Sequence, residues 1–161
     1  MAFDLLQVLE SRAVCLDVEA ADADEVIGIL AARLQALGAV LPSYGPAVQE
    51  RERLMPTGLP LGEINVAVPH TDAHHVLRPA VALAVLRQPV AFGSMDDPDE
   101  RLPVRIVLAL ALNDKHAQIE MLQTVAGMIQ TPALLRSLLD APDIPAALAL
   151  LRALSKDNVH G

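Results

Sequence analysis

Two rhythms of apolar and polar positions run along the chain, one with a helical period and one with the alternation or continuous apolar run of a strand. Ala13 to Val18 reads as a first strand. Val26, Ile27, Leu30, Leu34 and Leu37 then recur at helical spacing. Asp22 stands where an N-cap belongs, Glu25 follows three places on as in a capping box, and Gly38 marks the stop. Pro42, Ser43 and Gly45 predict a turn into a second, more polar helix that runs to about Leu54 and carries Glu50-Arg51-Glu52-Arg53. Pro56-Thr57-Gly58-Leu59-Pro60 has the chemistry of a loop. Ile64 to Val68 is a short apolar run that stops at Pro69, which cannot donate to a sheet ladder and biases its predecessor away from helix. Ala80 to Leu86 and Val104 to Leu112 predict two strands buried on both faces, bounded by Pro79 and Pro89 and by Pro103 and Asn113. Between them lie Phe92 to Met95 and an acidic loop, Asp96 to Glu100. Asn113 or Asp114 caps a helix reaching about Gln130, and Pro132 and Pro145 each stand near the start of another. Residues 3–10 read as a short helix or an irregular lead-in. Interleaved helical and strand patterns make the class α/β, a single domain over residues 1–161 with a mixed β-sheet flanked by helices on both faces.

Composition narrows what such a domain does. Hydrophobic residues are 53% of the 161, yet the aromatics are only Phe3, Tyr44 and Phe92. The core is therefore Leu, Val, Ile and Ala, which offers little for stacking on bases or sugar rings. A formal net charge of -8 repels a phosphate backbone, so no nucleic-acid partner is expected. The same charge suits steering of a basic protein partner. Cys15 is alone, which excludes an internal disulfide and fits a reducing compartment, and its apolar neighbours make it a core filler. No secretory leader and no uncharged apolar run of about 18 residues or more is present, so a cytoplasmic protein without membrane insertion is expected.

Three residues invite chemistry together. His70 follows a strand end, where open α/β sheets commonly place their ligands. Arg51 precedes it in a charged helix end, and His116 falls in the first turn of the helix after the strand that ends near Leu112. If the two strand ends lie side by side, both histidines and the unpaired N–H groups of that helix start converge on an anion site. A guanidinium fork and an imidazole N–H there suit a phosphoryl group, each charge-assisted bond contributing about 1.5–3 kcal/mol. An ordinary imidazole is about three-quarters unprotonated at pH 7 and attacks phosphorus through its free nitrogen while a backbone carbonyl holds the other. Plainer readings stand beside these: Arg51 as a solvated helix charge between Glu50 and Glu52, His70 and His116 as solvated residues. His70, Asp72, His74 and His75 also raise a zinc-dependent hydrolase, but no glutamate accompanies them as in a metalloprotease helix, and Pro69 leaves little helix to share. His160 belongs to a polar tail. No glycine-rich nucleotide cradle and no serine elbow occurs, which narrows an enzyme to transfer between protein-bound groups.

Arg51-Glu52-Arg53-Leu54-Met55-Pro56-Thr57-Gly58, followed by Val66-Ala67-Val68-Pro69-His70, resembles the enzyme IIA components of the fructose/mannitol superfamily of the bacterial sugar phosphotransferase system. The family pattern is an Arg-Glu pair, a Thr-Gly shortly after, and an apolar-Ala-apolar-Pro-His run ending at the phosphorylated histidine. The likeness extends through Val104 to Leu112 and the helix carrying His116. Pro56 before Thr57, where fructose and mannitol members usually carry Ser, and the lengthening by Leu59 to Asn65 look like the galactitol-type branch. The resemblance implies the enzyme IIA fold and a phosphoryl carrier without a cofactor or metal. His70 would accept phosphate from the phosphocarrier protein HPr and pass it to a cysteine of a IIB component, with a IIC permease served indirectly. Arg51 and His116 would steady the phosphate, and Thr57 would shape the loop beside the site. Glu63 departs from the small or polar residue that relatives often have. Some relatives of the nitrogen-regulatory type use the same histidine to signal to other proteins, which is the alternative role.

Overall fold

Strand β1 (Leu9–Val18) opens the described chain, and the computed structural model describes residues 9–151. Helices α1 (Ala23–Ala36) and α2 (Tyr44–Leu54) follow, then the short strands β2 (Gly58–Leu59) and β3 (Asn65–Ala67). After a single turn of 3-10 helix at Ala73–His75 come the long strands β4 (Ala80–Gly93) and β5 (Arg101–Ala111). Helices α3 (Lys115–Ile129) and α4 (Pro132–Asp140) and a helical stretch over residues 144–151 complete it. The five strands form one mixed sheet in the order β1-β4-β5-β3-β2. β1 runs parallel to β4 and β3 parallel to β5, while β4–β5 and β2–β3 are antiparallel.

Strand alternation divides the core into two layers. Ala80, Ala82 and Ala84 of β4 join Val107, Ala109 and Ala111 of β5 on one face, under Val26, Ile27, Leu30 and Leu34 of α1 and Tyr44 and Val48 of α2. Small side chains there let α1 lie close to the strands, while α2 packs against α1. Val81 and Leu83 join Ile106, Leu108 and Leu110 on the other face, against Met121 and Val125 of α3, Leu135 and Leu138 of α4, and Ala147 and Leu151 beyond them. Helices on both faces of a mixed sheet are what the patterns predict. Cys15 lies buried in the first layer, where burial pushes its thiol pKa up.

The helix punctuation is also as expected. The Asp22 side chain accepts from the Glu25 N–H at 2.9 Å, the Glu25 carboxylate reaches back to the Ala21 N–H, and Gly38 leaves α1 with φ +74°. Pro132 stands in the first turn of α4 and Pro145 in that of the last helical stretch.

Several boundaries differ. Leu9 and Glu10 belong to β1 rather than to a lead-in, of which residues 3–8 lie outside the described residues, as does His160. β4 continues past Pro89 to Gly93, and β5 begins before Pro103. Between the pairs Val85–Ile106 and Val90–Val104, residues 86–89 of β4 stand opposite residue 105 alone. Pro89 falls in this bulge, where a missing N–H leaves no gap in the ladder, so it bends the strand rather than ending it. The Pro56–Pro60 segment holds strand β2, which pairs Gly58 with Ala67 and Leu59 with Val66. The Met95 N–H donates to the Gly58 carbonyl at 2.7 Å, and a Cβ on Gly58 would run into the Gly93 carbonyl. Gly58→Ala should therefore destabilise the fold by about 1–3 kcal/mol, read as a lower urea midpoint, because backbone faces the new methyl and cannot swing aside. An unchanged midpoint would mean that β2 moves freely.

Candidate functional site

β3 and β5 run parallel, so their C-terminal ends share one edge of the sheet. β3 stops at Ala67, and the next residues are pinned from two sides. The Leu110 N–H of β5 donates to the Pro69 carbonyl at 3.0 Å, and His70 bridges to Leu110 as an extension of the parallel ladder. On the other side the Val68 N–H donates to Thr57 Oγ1 at 3.1 Å. Proline at 69 carries no N–H to leave unsatisfied in this buried stretch.

His70 emerges from this frame half-buried. Its Nδ1 lies 2.9 Å from the Val68 carbonyl oxygen. A carbonyl only accepts, so Nδ1 carries the proton and Nε2 holds the lone pair in the neutral ring. The tautomer is thereby chosen by backbone, two residues away along the chain.

Arg51 is in the last turn of α2, one third exposed, and its Nη1 lies 3.3 Å from Asp72 Oδ1, two residues beyond His70. Asp72 is two-thirds exposed. An ion pair this open contributes about 0–1 kcal/mol and leaves the guanidinium able to turn to another anion. Arg51 is thus a helix-surface charge whose side chain reaches the histidine's own loop. His116 is exposed in the first turn of α3, where the Asp114 side chain caps the helix by accepting the His116 N–H at 2.8 Å. α3 starts just beyond β5, at the same edge as His70, but the His116 ring has no hydrogen-bond partner among the described residues.

Glu52 is the residue that sequence reasoning missed. It stands in a run of four charged side chains that reads as a solvated face, yet it is buried. Its carboxylate accepts from the Thr57 N–H at 2.9 Å (Oε1) and from the Thr57 hydroxyl at 2.9 Å (Oε2). Burial raises its pKa from 4.5 to about 7, the Thr57 bonds opposing the rise. A signal existed in the Arg-Glu and Thr-Gly pairs of the motif, where the threonine supplies the partner a buried carboxylate needs. The expected role of Thr57, shaping the loop, agrees with its position between Glu52 and Val68.

The extra loop before β3 is organised by Asn65, whose Oδ1 accepts the Leu61 and Gly62 N–H groups while Nδ2 donates to the Pro103 carbonyl. Glu63 pairs at this loop with Arg136 of α4 at 2.8 Å. Of the histidines of the zinc reading, His74 and His75 lie ring against ring with centroids 3.9 Å apart, but no third ligand joins them among the described residues. His75 Nδ1 lies 2.8 Å from Ser43 Oγ, His74 is exposed, and among the described residues no three His, Cys, Asp or Glu side chains are grouped to hold a metal ion.

Residues 7–153 match the family described as "Phosphoenolpyruvate-dependent sugar phosphotransferase system, EIIA 2". The galactitol-specific EIIA component of Escherichia coli (strain K12) is 30% identical over 122 residues, 76% of this chain and 81% of that protein. A putative IIA domain from Streptococcus pyogenes M1 GAS has the same fold, with a TM-score of 0.78 at 23% identity over 97% of this chain and 98% of its own. So does the mannitol enzyme IIA of Escherichia coli in its complex with phosphorylated enzyme IIB, with a TM-score of 0.74 at 24% identity over 91% of this chain and 99% of its own.

Proposed function

Because this chain belongs to the EIIA 2 family of the phosphoenolpyruvate-dependent sugar phosphotransferase system, we propose that it carries phosphoryl groups on Nε2 of His70 between two protein partners. The whole chain acts as one phosphotransfer domain in the cytoplasm, in keeping with the absence, among the described residues, of a helix able to cross a membrane. The donor is phospho-HPr and the acceptor a cysteine of a IIB component, which serves a IIC permease. The mannitol protein solved with phosphorylated IIB supports a IIB component as one partner, and the galactitol-specific relatives support a sugar alcohol as the cargo.

The observation that carries the reading is the bond between His70 Nδ1 and the Val68 carbonyl. It leaves the Nε2 lone pair available to attack phosphorus in line as the P–N bond of the donor breaks, the bonding pair returning to the donor's nitrogen. The positive charge gained by the ring is met through Nδ1–H by the Val68 oxygen. In the second step the lone pair of a cysteine thiolate displaces His70 Nε2 from phosphorus. Arg51 leaves its weak pairing with Asp72 to hold the phosphoryl oxygens, and the His116 side chain at the start of α3 completes the anion site.

Incubation with phospho-HPr should give an acid-labile label on His70 that a cognate IIB removes. No label at all would overturn the reading, and label that no IIB accepts would mark a regulatory IIA of the nitrogen type. Arg51→Ala and His116→Ala should each slow the initial rate of labelling by about 10- to 100-fold without abolishing it, as losing one charge-assisted bond implies. Arg51→Lys should recover only part of the loss, since a lysine lacks the fork. Unchanged rates would remove these two residues from the site.

A further inference from the structure

Below His70 a second set of contacts does nothing for the phosphate directly, yet it ends on the N–H of the residue whose carbonyl sets the ring. The Glu52 carboxylate takes both the N–H and the hydroxyl proton of Thr57. With its proton so directed, Thr57 Oγ1 turns a lone pair to the Val68 N–H, 3.1 Å away. Val68 is fully buried, so this amide has no water to fall back on. The carbonyl of the same residue receives His70 Nδ1–H at 2.9 Å.

We propose that Glu52 and Thr57 are positioning residues for His70, the carboxylate orienting the threonine hydroxyl and the hydroxyl holding Val68 so that its carbonyl fixes the imidazole tautomer with Nε2 unprotonated. This rests on His70 being the phosphoryl acceptor. Neither residue touches the reacting atoms. Their effect is on how often the ring presents a lone pair in line. Three features support a role beyond general stability. A buried carboxylate on a helix is costly, and a leucine or glutamine of similar size would fill the space more cheaply. Its two acceptor oxygens are both spent on one residue, Thr57, rather than on a cation. Finally, Pro69 is already held by β5 through Leu110, so the Thr57 bond completes a clamp on the two residues immediately before His70.

The test compares Thr57→Val, Thr57→Ser and Glu52→Gln in the full chain. Ring nitrogen NMR of unphosphorylated protein reads the His70 tautomer, and initial labelling from phospho-HPr reads the consequence. Wild type and Thr57→Ser, which keeps the hydroxyl, should show Nδ1 protonated and label within about threefold of one another. Thr57→Val should show a mixture of tautomers and label about 10- to 100-fold more slowly, the loss expected for small misplacement of a reacting group. Glu52→Gln presents a weaker, neutral acceptor and should fall between them while remaining folded, so it keeps the test alive if Thr57→Val does not fold. Thr57→Val or Glu52→Gln with a single wild-type tautomer and a wild-type rate would overturn the proposal. The tautomer is measured without any phosphoryl donor, so a wild-type protein that fails to label refutes the carrier function and leaves this inference to be judged on the ring alone.

Discussion

His70→Ala is expected to abolish labelling by phospho-HPr completely while moving the melting temperature by only a few degrees. The ring's one hydrogen bond among the described residues is to the Val68 carbonyl, worth about 0.5–1.5 kcal/mol net, and the ring is only half-buried. The contacts that hold the surrounding chain are backbone ones, Leu110 N–H to the Pro69 carbonyl and the bridge at residue 70, and alanine keeps them. A loss of about 1 kcal/mol shifts the midpoint of a chain this size by roughly 2–4 °C. Function has no such reserve among the described histidines. His74 is exposed on a single helical turn without a carbonyl partner, His75 is tied to Ser43, and the His116 ring stands free at a helix start. None has one nitrogen anchored by backbone and the other left as a nucleophile. Mass spectrometry of the labelled variant beside a thermal melt checks both halves. Label on another histidine would move the assignment, and a collapsed melt would mean that the imidazole is a structural residue first.

The frame around His70 was legible where the signal is local. Asp22, Gly38, Pro132 and Pro69 act on their nearest neighbours, and each sits where its chemistry places it. The run from Ile64 to Val68 followed by Pro-His announced a strand end carrying an imidazole. What escaped depends on partners distant in sequence. Pro89 and Pro103 read as strand ends because nothing near them tells that four residues of β4 bulge over one of β5. β2 is two residues long, and its strand character comes from pairing with β3 and from the contact of Gly58 with the end of β4, not from any pattern of its own. Glu52 is the sharpest case. Among four charges on a helix, its burial is decided by how α2 lies over Thr57, a contact that no helical period encodes. The resemblance in motif quoted Arg51 and Glu52 side by side but gave a role to Arg51 alone, and only the fold shows that one reaches the loop of His70 while the other is buried against Thr57.

That separation has a thermodynamic consequence. Glu52→Gln should make the protein more stable than wild type at pH 8 while slowing phosphoryl transfer. Burial raises the Glu52 pKa from 4.5 to about 7, so over that interval the folded protein keeps a proton that the unfolded chain releases. The contribution of this group to stability is therefore fully present below about pH 4.5, falls as pH rises towards 7, and is lost above. The carboxylate borders a cavity of about 440 Å³ that it shares with Asp22 and Asp24 at the start of α1, Arg53 on its own helix and Arg101 on β5. Those charges are of both signs and partly offset one another. Between pH 5 and pH 8 the wild type should lose roughly 2–3 kcal/mol that glutamine, which does not titrate, retains. Urea unfolding of both proteins at the two values measures the difference and cancels the other titrating groups. Parallel curves would show that the buried carboxyl ionises like a free one. Diverging curves with slower transfer in the more stable variant would show that the charge is kept at a cost to the fold, because it orders the histidine rather than the core.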